Sequence, residues 1–142
     1  MAEPSVAQQV SAVRAFNRFY TRKIGVVDGM ASSPFSLAEA RVLYELAHRE
    51  KPTATEIRKE LGLDAGYMSR ILRDFERRKL VAREPSKTDE RQRFLFLTGK
   101  GRRAFRPLDE RSSRDVAAMI DTVSPRERNQ LVQAVETVQR LL

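Results

Sequence analysis

The sequence predicts a mainly α chain with one small β-hairpin, an α+β fold. Three observations carry that prediction. Apolar residues recur every three or four positions over most of the 142 residues, the period of helices with one buried face. A Ser/Thr-x-x-Glu signal, which satisfies orphan amides at a helix start, occurs at Ser36, Thr53 and Ser124. The period changes between Leu80 and Leu97, where two short β-prone runs flank a polar stretch.

The first helix is read from a stripe of Val6, Val10, Val13, Phe16, Tyr20 and Ile24. Gly25, Gly29 and the Ser32-Ser33-Pro34 cluster break it. Ser36 and Glu39 open the next helix, with Ala40, Leu43, Tyr44 and Ala47 expected on one face. Pro52 ends the connection, and Thr53 with Glu56 opens a short helix through Leu61. Gly62 suits the left-handed residue that terminates it. Asp64 then caps a helix to about Arg78, with Met68, Ile71, Leu72 and Phe75 as its buried stripe. Two helices joined by a few residues with a glycine are the helix-turn-helix signature.

Leu80–Arg83 and Arg93–Leu97 read as strands of a hairpin whose charged tip is Pro85–Gln92. Thr98 caps a further helix, with Gly99 and Gly101 in its first turn and Pro107 at a point where it could kink. Ser124, Pro125 and Glu127 start the last helix, striped by Leu131, Val135, Val138 and Leu142. The expected whole is one domain over 1–142. A winged helix-turn-helix occupies about 36–100, and terminal helices occupy about 4–27 and 101–142. The winged part is complete without them, so their apolar stripes are expected to bury against a second copy of the chain.

Composition narrows the chemistry. There is no cysteine, which excludes disulfides, thiol redox sensing and Cys-ligated zinc, and His48 is the one histidine. Gly99-Lys100-Gly101 lacks the phosphate-loop pattern. No paired carboxylates lie in an apolar setting, so no enzyme, cofactor or metal is expected. No run approaches the ~18 apolar residues of a membrane span, and no secretory signal opens the chain, so a cytoplasmic protein away from membranes is expected. The net charge is +8. Thirteen basic residues against five acidic ones between Arg70 and Arg106 account for that whole excess. Such concentration points to a polyanion, and double-stranded DNA is the expected partner.

A helix reads DNA by lying in the major groove, where base edges differ in their donors and acceptors. On the helix after Asp64, the face opposite Met68, Leu72 and Phe75 carries Gly66, Ser69, Arg70, Arg73 and Arg77. Gly66 allows close approach, and Ser69 can bond a base edge or a phosphate. Arg70 or Arg73 can grip guanine, and Arg77 is placed for phosphate. Tyr67 flanks this face. At the hairpin tip, the Asp89 carboxylate is expected to orient the Arg91 guanidinium for a narrow minor groove, with Lys87 and Arg93 on phosphates. Thr53, Thr55 and Asp64, at the starts of the two helices, complete the candidate DNA-binding set. His48, near a helix end, reads as structural. Phe16, Tyr20, Phe35 and Tyr44 are candidates for lining a ligand cavity.

Leu61-Gly-Leu-Asp-Ala-Gly-Tyr-Met-Ser-Arg-Ile-Leu72, Leu80-Val-Ala-Arg-Glu-Pro85, the Asp89-Glu-Arg91 wing and Leu97-Thr-Gly-Lys-Gly101 together resemble the MarR family of winged helix-turn-helix regulators. The match runs from about Ser36 to Phe105. The resemblance implies a homodimer joined through its first and last helices. It implies a pseudo-palindromic operator, a role in transcription that is most often repression, and release by a small aromatic or anionic effector. Lys79 stands where the family usually has glycine, so it must turn left-handed at ~1 kcal/mol or end the helix differently. Oxidant-sensing members act through cysteine, which this chain lacks. Phe16-Asn-Arg-Phe-Tyr20 and Ser33-Pro-Phe-Ser-Leu-Ala-Glu-Ala-Arg41 look more like members fused ahead of an acetyltransferase domain. That suggests a second reading, a winged-helix interaction module of a larger acetyltransferase-type protein with weak DNA binding.

Overall fold

The computed structural model describes residues 2–25 and 33–142. In chain order the elements are α1 (Val6–Lys23), α2 (Leu37–His48), α3 (Ala54–Leu61), α4 (Ala65–Arg77), β1 (Val81–Pro85), β2 (Arg93–Leu97), α5 (Gly99–Asp121) and α6 (Pro125–Leu141). The α+β winged architecture follows the sequence. The Gly29 and Ser32 part of the expected first break, and positions 26 and 27, lie outside the described residues.

Local chemistry explains most boundaries. Ser36, Thr53 and Ser124 each accept a hydrogen bond from the amide three residues on, and the glutamate carboxylate there accepts one from the amide of the cap residue. Ser5 and Gln8 form the same arrangement at α1, with Gln in place of Glu. Gly62 ends α3 at φ 63, with the Leu63 amide donating back to the Arg58 carbonyl at 3.0 Å. Gly25 is also left-handed, at φ 67, just past α1. Helix α5 runs through Pro107.

The chain divides into two compact units, one ending at Asp109 and one spanning Glu110–Leu142. The first holds the core: Phe35, Val42, Leu43, Leu46, Ile57, Met68, Ile71, Leu72, Phe75, Leu80, Val81, Leu95, Leu97 and Phe105. Each contributes on the order of 1.5–3 kcal/mol by leaving water. On α2 the buried face is Val42, Leu43 and Leu46, while Tyr44 is 48% exposed, so the expected stripe is corrected by a rotation. The cause is tertiary: α2 packs against both α3 and β2, and two neighbours cover a wider face than one stripe.

The wing is a two-stranded antiparallel hairpin with Val81 opposite Leu97 and Pro85 opposite Arg93. The Leu95 amide also donates to the Pro52 carbonyl at 2.8 Å, which ties the wing to the start of α3. Thr98 fixes the next turn. Its amide donates to the Leu80 carbonyl at 3.0 Å, its hydroxyl to the Lys79 carbonyl at 2.6 Å, and it accepts from the Gly101 amide at 3.0 Å. A Cβ on Gly101 would lie 2.1 Å from the Leu80 carbonyl oxygen, so only glycine lets α5 approach this closely. In the second unit, Ser124 starts α6 and the Arg128 Nε donates to the Val123 carbonyl at 2.8 Å.

Candidate nucleic-acid interface

Helix α4 presents its core residues Met68, Ile71, Leu72 and Phe75 inward and leaves Gly66, Tyr67, Ser69, Arg70, Arg73 and Arg77 exposed. The sequence period anticipates this division. Asp64 accepts the Tyr67 amide at 3.1 Å, so its carboxylate is spent holding the start of α4. A carboxylate turned toward phosphates would repel them, and the cap explains why an acid sits here. Thr53 likewise caps α3, accepting the Glu56 amide at 3.2 Å, and Thr55 is exposed in that helix's first turn.

The arginines of α4 are not equivalent. The Arg70 guanidinium lies 5.7 Å from the Tyr67 ring centre, a cation–π pair one turn apart. Arg77 and Arg78 share the carboxylate of Asp74, with Arg78 Nη1 at 3.3 Å from Oδ2. Arg77 beside it holds the Asp74 carboxyl below its usual range, and Arg78 adds to the effect. Among the described residues, neither Arg70 nor Arg73 has a carboxylate partner. Arg83 pairs with Glu76, and Lys100 donates to the Arg78 carbonyl at 3.0 Å. Part of the basic excess is thus taken up inside the fold.

At the wing tip the expected Asp89–Arg91 side-chain pair is corrected. Asp89 Oδ1 accepts the Arg91 backbone amide at 2.9 Å, and the Asp89 carbonyl accepts the Gln92 amide at 3.1 Å. The segment is a turn rather than extended chain, and bonding the amide two residues on orders no long side chain. Ser86 was not singled out from the sequence, yet it organises the tip. It is buried, its Oγ accepts the amides of Thr88 and Asp89 at 3.2 and 3.3 Å, and its own amide donates to the Gln92 carbonyl. A serine three residues before an Asp in a polar loop is the signal that could have found it. Lys87, Arg91 and Arg93 are exposed. The lobe therefore displays a helix with outward arginines and a stiffened basic hairpin tip.

Three comparisons with known proteins bear on this geometry. The sequence profile described as "MarR family" matches residues 33–92. The chain is 31% identical to the HTH-type transcriptional regulator MgrA of Staphylococcus aureus over 108 residues, 76% of this chain and 69% of that protein. The chain belongs to the MarR family. It is a transcriptional regulator rather than an enzyme. Among solved structures it is similar to Streptococcus pneumoniae FabT in complex with DNA, with a TM-score of 0.78, 20% identity and coverage of 93% and 96% of the two chains. It is also similar to a MarR family protein from Bacillus stearothermophilus, with a TM-score of 0.75, 17% identity and coverage of 96% and 97%.

Lys79, where the resemblance led to glycine being expected, adopts φ 60. Its amide donates to the Glu76 carbonyl at 3.0 Å and the Leu80 amide to the Phe75 carbonyl at 2.9 Å, which is the glycine-type helix ending built on lysine. Of the candidate ligand residues, Phe16 and Tyr20 stack at 5.7 Å on α1, and Tyr44 lies 4.2 Å from His48. Phe35 is 3% exposed and meets Phe75 edge-on at 6.2 Å, which places it in the core. His48 Nε2 lies 3.0 Å from Asp109 Oδ2, tying the end of α2 to α5. Among the described residues no helix is long and apolar enough to cross a membrane.

Proposed function

We propose that this MarR-family regulator is a cytoplasmic homodimer that binds a pseudo-palindromic operator and represses transcription until a small aromatic or anionic effector releases it. The observation that carries the reading is the outward face of α4, where Ser69, Arg70 and Arg73 stand exposed on a helix whose other side is locked in the core. Arg73 is the base reader, with Arg70 beside it and held against Tyr67. Gly66 permits close approach, and Thr53, Thr55, Lys87 and Arg93 contact phosphates. Arg91 enters the minor groove. A structural neighbour crystallised in complex with DNA supports DNA binding by a chain of this fold.

Dimerisation is supported by α1 and α6, whose apolar residues have no buried member. Two-fold symmetry then sets half-sites about one helical turn apart, ~34 Å. Phe16, Tyr20 and Tyr44 are the residues offered to an effector.

The test is selection of bound sequences from random duplex DNA at about 150 mM salt, where phosphate binding alone is weak. An enriched inverted repeat is expected, and with about eight phosphate contacts log K should fall with log[salt] at a slope near −7. A dimer that enriches no sequence would instead favour the interaction-module reading.

A further inference from the structure

Asp74 lies on the flank of α4, one turn before both Arg77 and Arg78, and divides its two oxygens between them. A carboxylate in that position offers a guanidinium what a DNA phosphate offers, anionic oxygens that accept charge-assisted hydrogen bonds. The two arginines differ in what else they can do. Arg78 is half-buried, with its guanidinium 5.2 Å over the Phe35 ring, so it belongs to the lobe. Arg77 is 78% exposed in its side chain and continues the outward stripe of Gly66, Arg70 and Arg73. From Arg70 to Arg77 the helix rises ~10 Å, so Arg77 reaches a different stretch of backbone from the base-reading pair. It can engage Asp74 or a phosphate, but one guanidinium does not serve both fully.

We propose that Asp74 is an internal competitor of the DNA backbone, holding Arg77 off phosphate and weakening sequence-independent binding while leaving base readout intact. The inference rests on the DNA-binding reading and adds a control on affinity at the same face. Withholding one phosphate contact removes about 0.9 from the salt slope of each engaged protomer. A larger share of the binding free energy is then left to base edges. Asp74 acts through Arg77 and is a positioning residue, not a DNA contact.

The experiment compares the full chain with Asp74→Asn, which removes the charge and keeps an acceptor for Arg78. Binding is measured across a salt series to a random-sequence duplex and to the selected operator, with melting followed in parallel. The expected result is a slope steeper by about 0.9 per protomer and about fivefold tighter binding per protomer near 0.15 M salt, equal on both duplexes. The selected base preferences stay as they are. The double variant Asp74→Asn/Arg77→Gln loses that gain. If asparagine unfolds the lobe, Asp74→Ser carries the same expectation. Unchanged or weaker binding by Asp74→Asn overturns the proposal, as does a gain that survives in the double variant. A wild-type chain that binds neither duplex overturns the DNA-binding reading itself, and the wild-type isotherm separates that failure from a failure of Asp74.

Discussion

The winged lobe and the terminal helices solve the same problem in opposite ways. In the lobe, α2, α3, α4 and the hairpin, together with Phe35, Leu80 and Phe105 on the start of α5, bury fourteen apolar residues in one core. Helices α1 and α6 are as clearly amphipathic, yet neither has a buried residue. Val6, Val10, Val13, Phe16, Phe19 and Tyr20 on α1 are 43–74% exposed. Leu131, Val132, Val135, Val138 and Leu141 on α6 are 41–74% exposed. An apolar stripe left in water contributes nothing to stability, and isolated helices of this length are marginal. The lobe therefore carries its own stability, whereas the terminal helices depend on what covers them.

The contrast breaks most sharply at Phe75, fully buried and in edge-on contact with Phe35. Phe75→Ala should cost about 3–5 kcal/mol in chemical denaturation, with no dependence on protein concentration. A cost under about 1 kcal/mol would show that the lobe is not one packed unit. Val135→Asp is the opposite probe. It should leave the lobe's fold intact and weaken the proposed dimer by about 2–4 kcal/mol, because two-fold symmetry would place the charge in that interface twice. Sedimentation across a concentration series reads this directly. A dimer that persists unchanged would remove α6 from the interface.

The same contrast explains how much was legible in the sequence. Helix starts at Ser36, Thr53 and Ser124 and the left-handed Gly62 depend on residues within three or four positions, so they could be read locally. The outward face of α4 was equally legible, because a single 3.6-residue period decides it. The burial of Val42 and Leu46 in place of Tyr44 was not, since α3 and β2 both choose the face of α2. Nor was the partner of Asp89, since a carboxylate beside a guanidinium and a backbone amide gives no sign in sequence of which it takes. Phe35 shows the limit most simply. Its apolar character was visible, but its commitment to the core depends on Phe75, forty residues away.

Within the interface, Arg73→Ala should lose about 1–3 kcal/mol of base preference at one position per half-site. Equal losses on every sequence would make Arg73 a phosphate contact instead. Arg91→Ala should weaken binding chiefly where the minor groove is narrow and AT-rich, and a selection repeated with each variant measures both effects.

The smallest effect compares two helix ends. Helices α3 and α4 finish with the same pair of backward hydrogen bonds, Gly62 and Leu63 onto Lys59 and Arg58, and Lys79 and Leu80 onto Glu76 and Phe75. Their left-handed residues have nearly the same φ, 63 and 60, but one is glycine and the other lysine. At Lys79 the strain is held by neighbours that do not depend on its side chain. Thr98 bonds its carbonyl, Leu80 is buried beside it, and Gly101 packs on the Leu80 backbone. Lys79→Gly keeps all of these contacts and relieves the steric cost, offset in part by the greater freedom of glycine in the unfolded chain. The net expectation is a gain of up to about 1 kcal/mol in denaturant unfolding, against a loss of about 1 kcal/mol for Gly62→Ala. A destabilised Lys79→Gly would mean that the lysine side chain itself supports this corner of the lobe.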